Sequence, residues 1–125
     1  VGKLGVAVCY DLRFPELFRA MIDKGAEVIA LPAAFTAVTG RAHWETLVRA
    51  RAIENLAYVI AADQGGFHVK GRETHGHSMI VDPWGSVLDK RDKGNGFAIG
   101  NINHDFQTNT RRNFPCLQHR QLKCN

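Results

Sequence analysis

The sequence predicts an α/β fold built on a parallel sheet, and three observations carry that reading. Short apolar runs alternate with helically spaced apolar residues in the order strand, helix, strand, helix, strand. The helical stretches begin and end at residues suited to helix boundaries. The composition, 45% hydrophobic and 22% charged, is that of an ordinary globular domain and excludes disordered, collagen-like and low-complexity chains.

The elements follow in chain order. Leu4 to Val8 is an apolar run that predicts a strand buried on both faces. Asp11 is read as the N-cap of the next helix and Pro15 as its first residue. Phe14, Leu17, Phe18, Met21 and Ile22 recur at helical spacing until Gly25 ends the element. Ala26 to Leu31 repeats the buried-strand pattern and stops at Pro32. Trp44, Leu47, Val48, Ala52 and Leu56 mark one face of a second helix, with Glu45 and Arg49 spaced for an ion pair on its outer side. Tyr58 to Ala62 is a third buried strand, so two β-α units in succession imply a right-handed parallel arrangement with helices covering the sheet.

The rhythm then changes. Gly65 and Gly66 open a loop, and Ser78 to Val81, Val87 to Leu88 and Phe97 to Ile102 read as short strands. The turn Asp82-Pro83-Trp84-Gly85 joins the first two. From Asn103 the pattern weakens into a polar tail.

At 125 residues the chain holds one core or part of a larger one. It opens inside what reads as a central strand, a place where natural domains rarely begin, so residues 1–125 are expected to be the C-terminal part of a single longer domain. No apolar run is long enough to span a bilayer, and no signal pattern is visible. Apart from Lys90 to Lys93 and the tail from Arg111 to Lys123, the basic residues behind the net charge of +4 are interleaved with acids and lack an aromatic stacking platform, which argues against a nucleic-acid partner, as the lack of a spanning apolar run argues against a membrane. Three sparse cysteines, Cys9, Cys116 and Cys124, lack metal or disulfide spacing and suit a reducing, cytoplasmic compartment.

Cys9 sits where the first strand turns sharply into a helix, and ligands of open α/β sheets bind at the carboxyl ends of strands. That position suits a reactive thiol as well as it suits a buried, inert one. Arg13, four residues on, offers either a bidentate grip on a substrate carboxylate or a salt bridge to Asp11 or Glu16. Phe35 and Thr39 follow the second strand at its carboxyl end, where they would supply an apolar wall and a hydroxyl, or merely a core aromatic and a turn residue. His75 and His77 lie two apart without a third ligand nearby, which is weak support for a metal. His43 and Trp44 are read as rim or core.

Four ordered blocks resemble one family. Gly5-Val-Ala-Val-Cys-Tyr-Asp-Leu-Arg-Phe-Pro-Glu16, Leu31-Pro-Ala-Ala-Phe35, His43-Trp-Glu45 with Arg49-Ala-Arg-Ala-Ile-Glu-Asn55, and Gly76-His-Ser-Met-Ile-Val-Asp-Pro-Trp-Gly85 are similar to the nitrilase superfamily of carbon–nitrogen hydrolases. The stretch Ala33 to Glu45 resembles its deaminated glutathione amidase branch. The resemblance implies a four-layer α-β-β-α sandwich, a homodimer or larger, with a Glu-Lys-Cys triad and no metal or organic cofactor. It implies that Cys9 is the nucleophile, that Tyr10 supplies a backbone N–H to the oxyanion, and that Arg13 holds a substrate carboxylate. The substrate expected is a small carboxylate-bearing amide, similar to deaminated glutathione or to the monoamide of a 2-oxo-dicarboxylic acid.

The family's glutamate and lysine precede its cysteine, whereas only eight residues precede Cys9 here, none of them glutamate. The chain alone is therefore expected to be inactive. The competing reading is a non-catalytic fragment or structural subunit that keeps the fold without the triad. A nucleotide-binding domain is disfavoured because no Gly-rich phosphate loop follows any strand.

Overall fold

The computed structural model describes residues 2–123. Strands β1 (Leu4–Val6), β2 (Val28–Ala33) and β3 (Tyr58–Asp63) pair in parallel, as the repeated β-α rhythm predicts. Helix α1 (Pro15–Asp23) crosses from β1 to β2. The crossover from β2 to β3 is one helical path through α2 (Ala37–Thr39), a π-turn over Gly40–Trp44 and α3 (Glu45–Asn55). A short hairpin of β4 (Gly65–Phe67) and β5 (Glu73–His75) follows. Strands β6 (Ser78–Val81) and β7 (Val87–Arg91) then extend the main sheet antiparallel, giving the order β1-β2-β3-β6-β7. The chain closes with α4 (His104–Asn113).

Alternation along the strands decides where the core lies. Ile29 and Leu31 of β2 and Val59 and Ala61 of β3 point to one face, where they meet Phe18 of α1 and Trp44, Val48 and Ala52 of the second crossover. Removing these side chains from water stabilises the fold by about 25 cal/mol per Å² of apolar surface. Pro15 occupies the first turn of α1, where its missing N–H costs nothing, and Gly25 with φ +89° takes the left-handed position that ends the helix.

Several expectations require correction. The first strand is not buried on both faces: β1 is the sheet edge, with Leu4 52% and Val6 59% exposed. Asp11 does not cap α1, which starts after Phe14. It sits inside a 3-10 turn, Cys9–Arg13, and accepts the Val8 N–H through Oδ2 at 2.9 Å. Strand β2 runs through Pro32 to Ala33. The Ala30 carbonyl accepts from the Ala7 N–H on the β1 side, so Pro32, two residues on, faces the same side beyond the end of β1 and forfeits no ladder bond.

The Glu45–Arg49 pair does not form, because tertiary partners win: Glu45 meets Lys90 Nζ at 3.4 Å, and Arg49 Nε donates to the Gly85 carbonyl at 2.8 Å. Gly65 and Gly66 belong to a strand of the β4–β5 hairpin rather than to a loop. Residues 97–102 form no strand; they run irregularly with Phe97 77% exposed. The tail is helical from His104. Asn103 caps α4 by accepting the Phe106 N–H, and the helix is anchored by polar groups: Gln107 Nε2 donates to the carbonyls of Glu27 and Leu56, and Arg111 Nε to Leu56. These anchors secure the starts of β2 and β3, leaving the opposite, carboxyl ends of the strands open. Among the described residues no helix is long and apolar enough to cross a membrane.

Candidate active site

The carboxyl ends of β1 and β2 build a cavity of about 310 Å³. Its lining brings together all five residues singled out from the sequence: Cys9, Tyr10, Arg13, Phe35 and Thr39, joined by Ala34, Thr36 and Arg72. The strand-to-turn junction is conformationally tense, since Cys9 holds φ +49°, a left-handed value that a side-chain-bearing residue adopts at a cost of about 1–3 kcal/mol. The left-handed backbone places the half-buried thiol on the cavity wall rather than along the strand. The first backbone bond of the turn runs from the Asp11 N–H to the Val8 carbonyl, so the Tyr10 N–H precedes the ladder.

The turn is braced from α3. Buried Arg51 donates from Nε and Nη2 to the Leu12 carbonyl at 3.1 and 2.8 Å, binds Glu54 at 3.1 Å and lies over the Phe18 ring. A guanidinium matched this closely to one carbonyl fixes the turn that carries Cys9.

Arg13 forms no salt bridge with Asp11 or Glu16. Asp11 is engaged with Val8, and the Arg13 guanidinium lies half-buried against the rings of Tyr10, 5.6 Å away, and Phe35, 5.3 Å away. Its Nη1 is 3.3 Å from His43 Nδ1. A guanidinium only donates, so Nδ1 is the acceptor in this contact. Phe35 packs on Trp44 at 4.9 Å, a tilted aromatic pair that fixes the wall, and the Thr36 and Thr39 hydroxyls bond each other at 2.7 Å.

Beneath this wall lies Asp63, at the end of β3. Its Oδ1 accepts the Phe35 N–H at 2.8 Å, while Oδ2 is buried without a partner, and burial pushes the carboxyl up to about 6. Arg51, Asp63 and Arg72 were missed by sequence reasoning, and His43 was read only as rim or core. Their roles depend on contacts between distant elements, and only the Arg49-to-Asn55 block hinted at Arg51.

A second cavity of about 500 Å³ adjoins α2 and the β5 end, and both of its lysines are paired with carboxylates. Lys90 pairs with Glu45, and Lys93 with Glu73 at 3.0 Å. The His75 and His77 rings stack there at 4.1 Å, with burial of His75 favouring its neutral form. Among the described residues no cluster of three or more His, Cys, Asp and Glu is placed to hold a metal. Cys116 is half-buried away from the cavity lining, and Cys124 lies outside the described residues.

Comparison with known proteins decides the family. The carbon-nitrogen hydrolase family model matches residues 1–112. The chain belongs to the carbon-nitrogen hydrolase family. It is similar to the deaminated glutathione amidase of Synechocystis sp., 53% identical over 119 residues, which is 95% of this chain and 44% of that protein. Its fold matches the crystal structure of the Caenorhabditis elegans NitFhit protein with a TM-score of 0.92 and 46% identity, covering 94% of this chain and 29% of that one. It also matches the amidase from Nesterenkonia sp. AN1, a nitrilase-superfamily protein. A variant of that amidase shows covalent addition of the acetamide moiety of fluoroacetamide at its active site cysteine (TM-score 0.74, 27% identity, 96% of this chain and 41% of that one). The chain thus spans less than half the length of these relatives, and its sheet with helices on one face is part of a nitrilase-type fold.

Proposed function

We propose that this chain carries the nucleophile and acid-binding wall of a thiol-dependent amidase. The enzyme hydrolyses the C–N bond of a small carboxylate-bearing amide, such as deaminated glutathione or a 2-oxo-dicarboxylic acid monoamide. The observation that carries the reading is Cys9 at φ +49° on a cavity that also holds the half-buried Arg13 guanidinium. The deaminated glutathione amidases among the relatives and the cysteine adduct in the Nesterenkonia amidase support it.

In this reading Arg13 grips the substrate carboxylate and Phe35 flanks the acyl chain. Cys9 Sγ attacks the amide carbon; the C–N bond breaks as the amine takes up a proton, leaving a thioester. The Tyr10 N–H donates to the carbonyl oxygen while it bears negative charge. Water then cleaves the thioester and restores the thiol. His43, by accepting from Arg13, holds that guanidinium in place. By the family resemblance, the glutamate base and the lysine come from sequence ahead of Cys9, so residues 1–125 alone are inactive. The reading extends to a cytoplasmic homo-oligomer that uses neither metal nor organic cofactor.

The test is release of amine from both candidate amides by the full-length protein, with Cys9→Ala as control. Turnover of an acidic amide that disappears in Cys9→Ala supports the reading. A folded full-length protein that hydrolyses neither amide returns the chain to the class of structural subunits.

A further inference from the structure

Two histidines stand outside the amidase reading. His75 and His77 line the cavity of about 500 Å³ beside α2, and their rings stack at 4.1 Å with 11° between the planes. His77 is fully engaged: its Nδ1 donates to the His75 carbonyl at 3.0 Å, and its Nε2 faces Asp92 at 3.6 Å. His75 is not. It is only 8% exposed, yet among the described residues no hydrogen bond reaches either of its ring nitrogens. A buried polar group without a partner carries a penalty, and here the ring borders a cavity that could hold the partner.

The charges around the cavity indicate what that partner carries. Glu45 of α3 is held by Lys90 of β7, and Glu73 of β5 by Lys93, so two acids and two lysines pair with one another. Arg41 lines the cavity as well, and among the described residues its guanidinium has neither a hydrogen bond nor an ion pair. The fold sets Arg41 beside His75. Because Gly40 lacks a side chain, the π-turn lies directly on His75, where an added Cβ would come within 2.2 Å, and Arg41 is the next residue. The groups left over are one guanidinium and one imidazole, both able to donate to an anion. Burial first, then the charges of His77, Lys93 and Arg41, favour the neutral form of His75, with only Asp92 opposing, so the ring stands in positive potential.

We propose that Arg41 and His75 form a binding site for a small oxyanion of the carboxylate or phosphate class, separate from the Cys9 cavity. The anion lies between the free guanidinium and the buried imidazole, accepts a hydrogen bond from each, and by its charge draws a proton onto His75. The two cavities share a wall, since the His75 N–H donates to the Phe35 carbonyl at 2.9 Å.

The experiment titrates the full-length protein with sodium acetate and, separately, with sodium phosphate, at constant ionic strength because salt screens exposed charges. The denaturation midpoint should rise with the anion as the site fills. A rise with acetate identifies a carboxylate site, and a rise with phosphate alone a phosphate site. Arg41→Gln and His75→Phe, the latter keeping a ring to stack on His77, should each weaken the apparent affinity about fivefold to tenfold. Arg13→Gln, which removes the guanidinium of the Cys9 cavity, should leave it unchanged. Acetate should bind the unmodified protein more tightly as pH falls from about 8 to about 6, a dependence that His75→Phe should abolish. Arg41 is exposed, so Arg41→Gln decides the matter even where His75→Phe does not fold. No response to either anion overturns the site. So does a response that Arg13→Gln removes while Arg41→Gln keeps it, or one that all three variants keep, because each places the anion elsewhere.

Discussion

At the scale of single residues the account turns on one thiol, one guanidinium and one buried carboxyl. Cys9 lies on the cavity, so iodoacetamide should label it in the folded full-length protein well ahead of Cys116, which mass mapping of the alkylated peptides would check; equal labelling contradicts the assignment. Arg13→Lys keeps the charge but loses the planar fork held between Tyr10 and Phe35. It should cost about tenfold or more in kcat/KM on an acidic amide and little on its neutral analogue. Asp63 supplies a pH signature. Its folded value, about 6, exceeds the ordinary 3.8, so the native state retains a proton that the unfolded chain has released between those values. Stability should therefore fall as pH rises from about 4 to about 6. Asp63→Asn should flatten that slope in denaturant melts, and an unchanged slope would assign it to other groups.

At the scale of elements, the π-turn and the β4–β5 hairpin are coupled through Gly40. A Cβ there would lie 2.2 Å from the Cβ of His75, against the root of a buried strand residue that cannot swing away. Gly40→Ala should cost about 1–3 kcal/mol, seen as a lower denaturation midpoint, and should displace the hairpin that bears Arg72. A neutral substitution would show that the two elements move independently. The sequence discloses elements held by apolar packing and hides those held by polar contacts. Strands β2, β3 and β6 were legible because Ile29, Leu31, Val59 and Val81 are fully buried. Helix α4 was not, because its hold on the sheet is the amide of Gln107 and the guanidinium of Arg111 on strand-start carbonyls, which leaves no apolar stripe to read. The same rule divides the site. Cys9, Tyr10 and Arg13 follow a strand end and share a motif, whereas Arg51 acquires its role from Leu12, which is remote in sequence.

At the scale of the whole molecule, the sheet has one face against α1 and α3, while on the other Leu4, Val6, Ile60 and Leu88 are between 37% and 59% exposed. An apolar face of this kind requires cover. Residues 1–125 produced alone should therefore self-associate and bind a hydrophobic dye. A monodisperse, cooperatively melting monomer would show that the segment needs no further layer. The central claim, that Cys9 is the covalent nucleophile, is tested most directly by quenching the full-length protein in acid during turnover of an acidic amide and measuring its mass. The account predicts the added mass of the acyl group, mapped to the peptide bearing Cys9 and absent in Cys9→Ala. Undiminished turnover by Cys9→Ala, or an adduct on another residue, would contradict it.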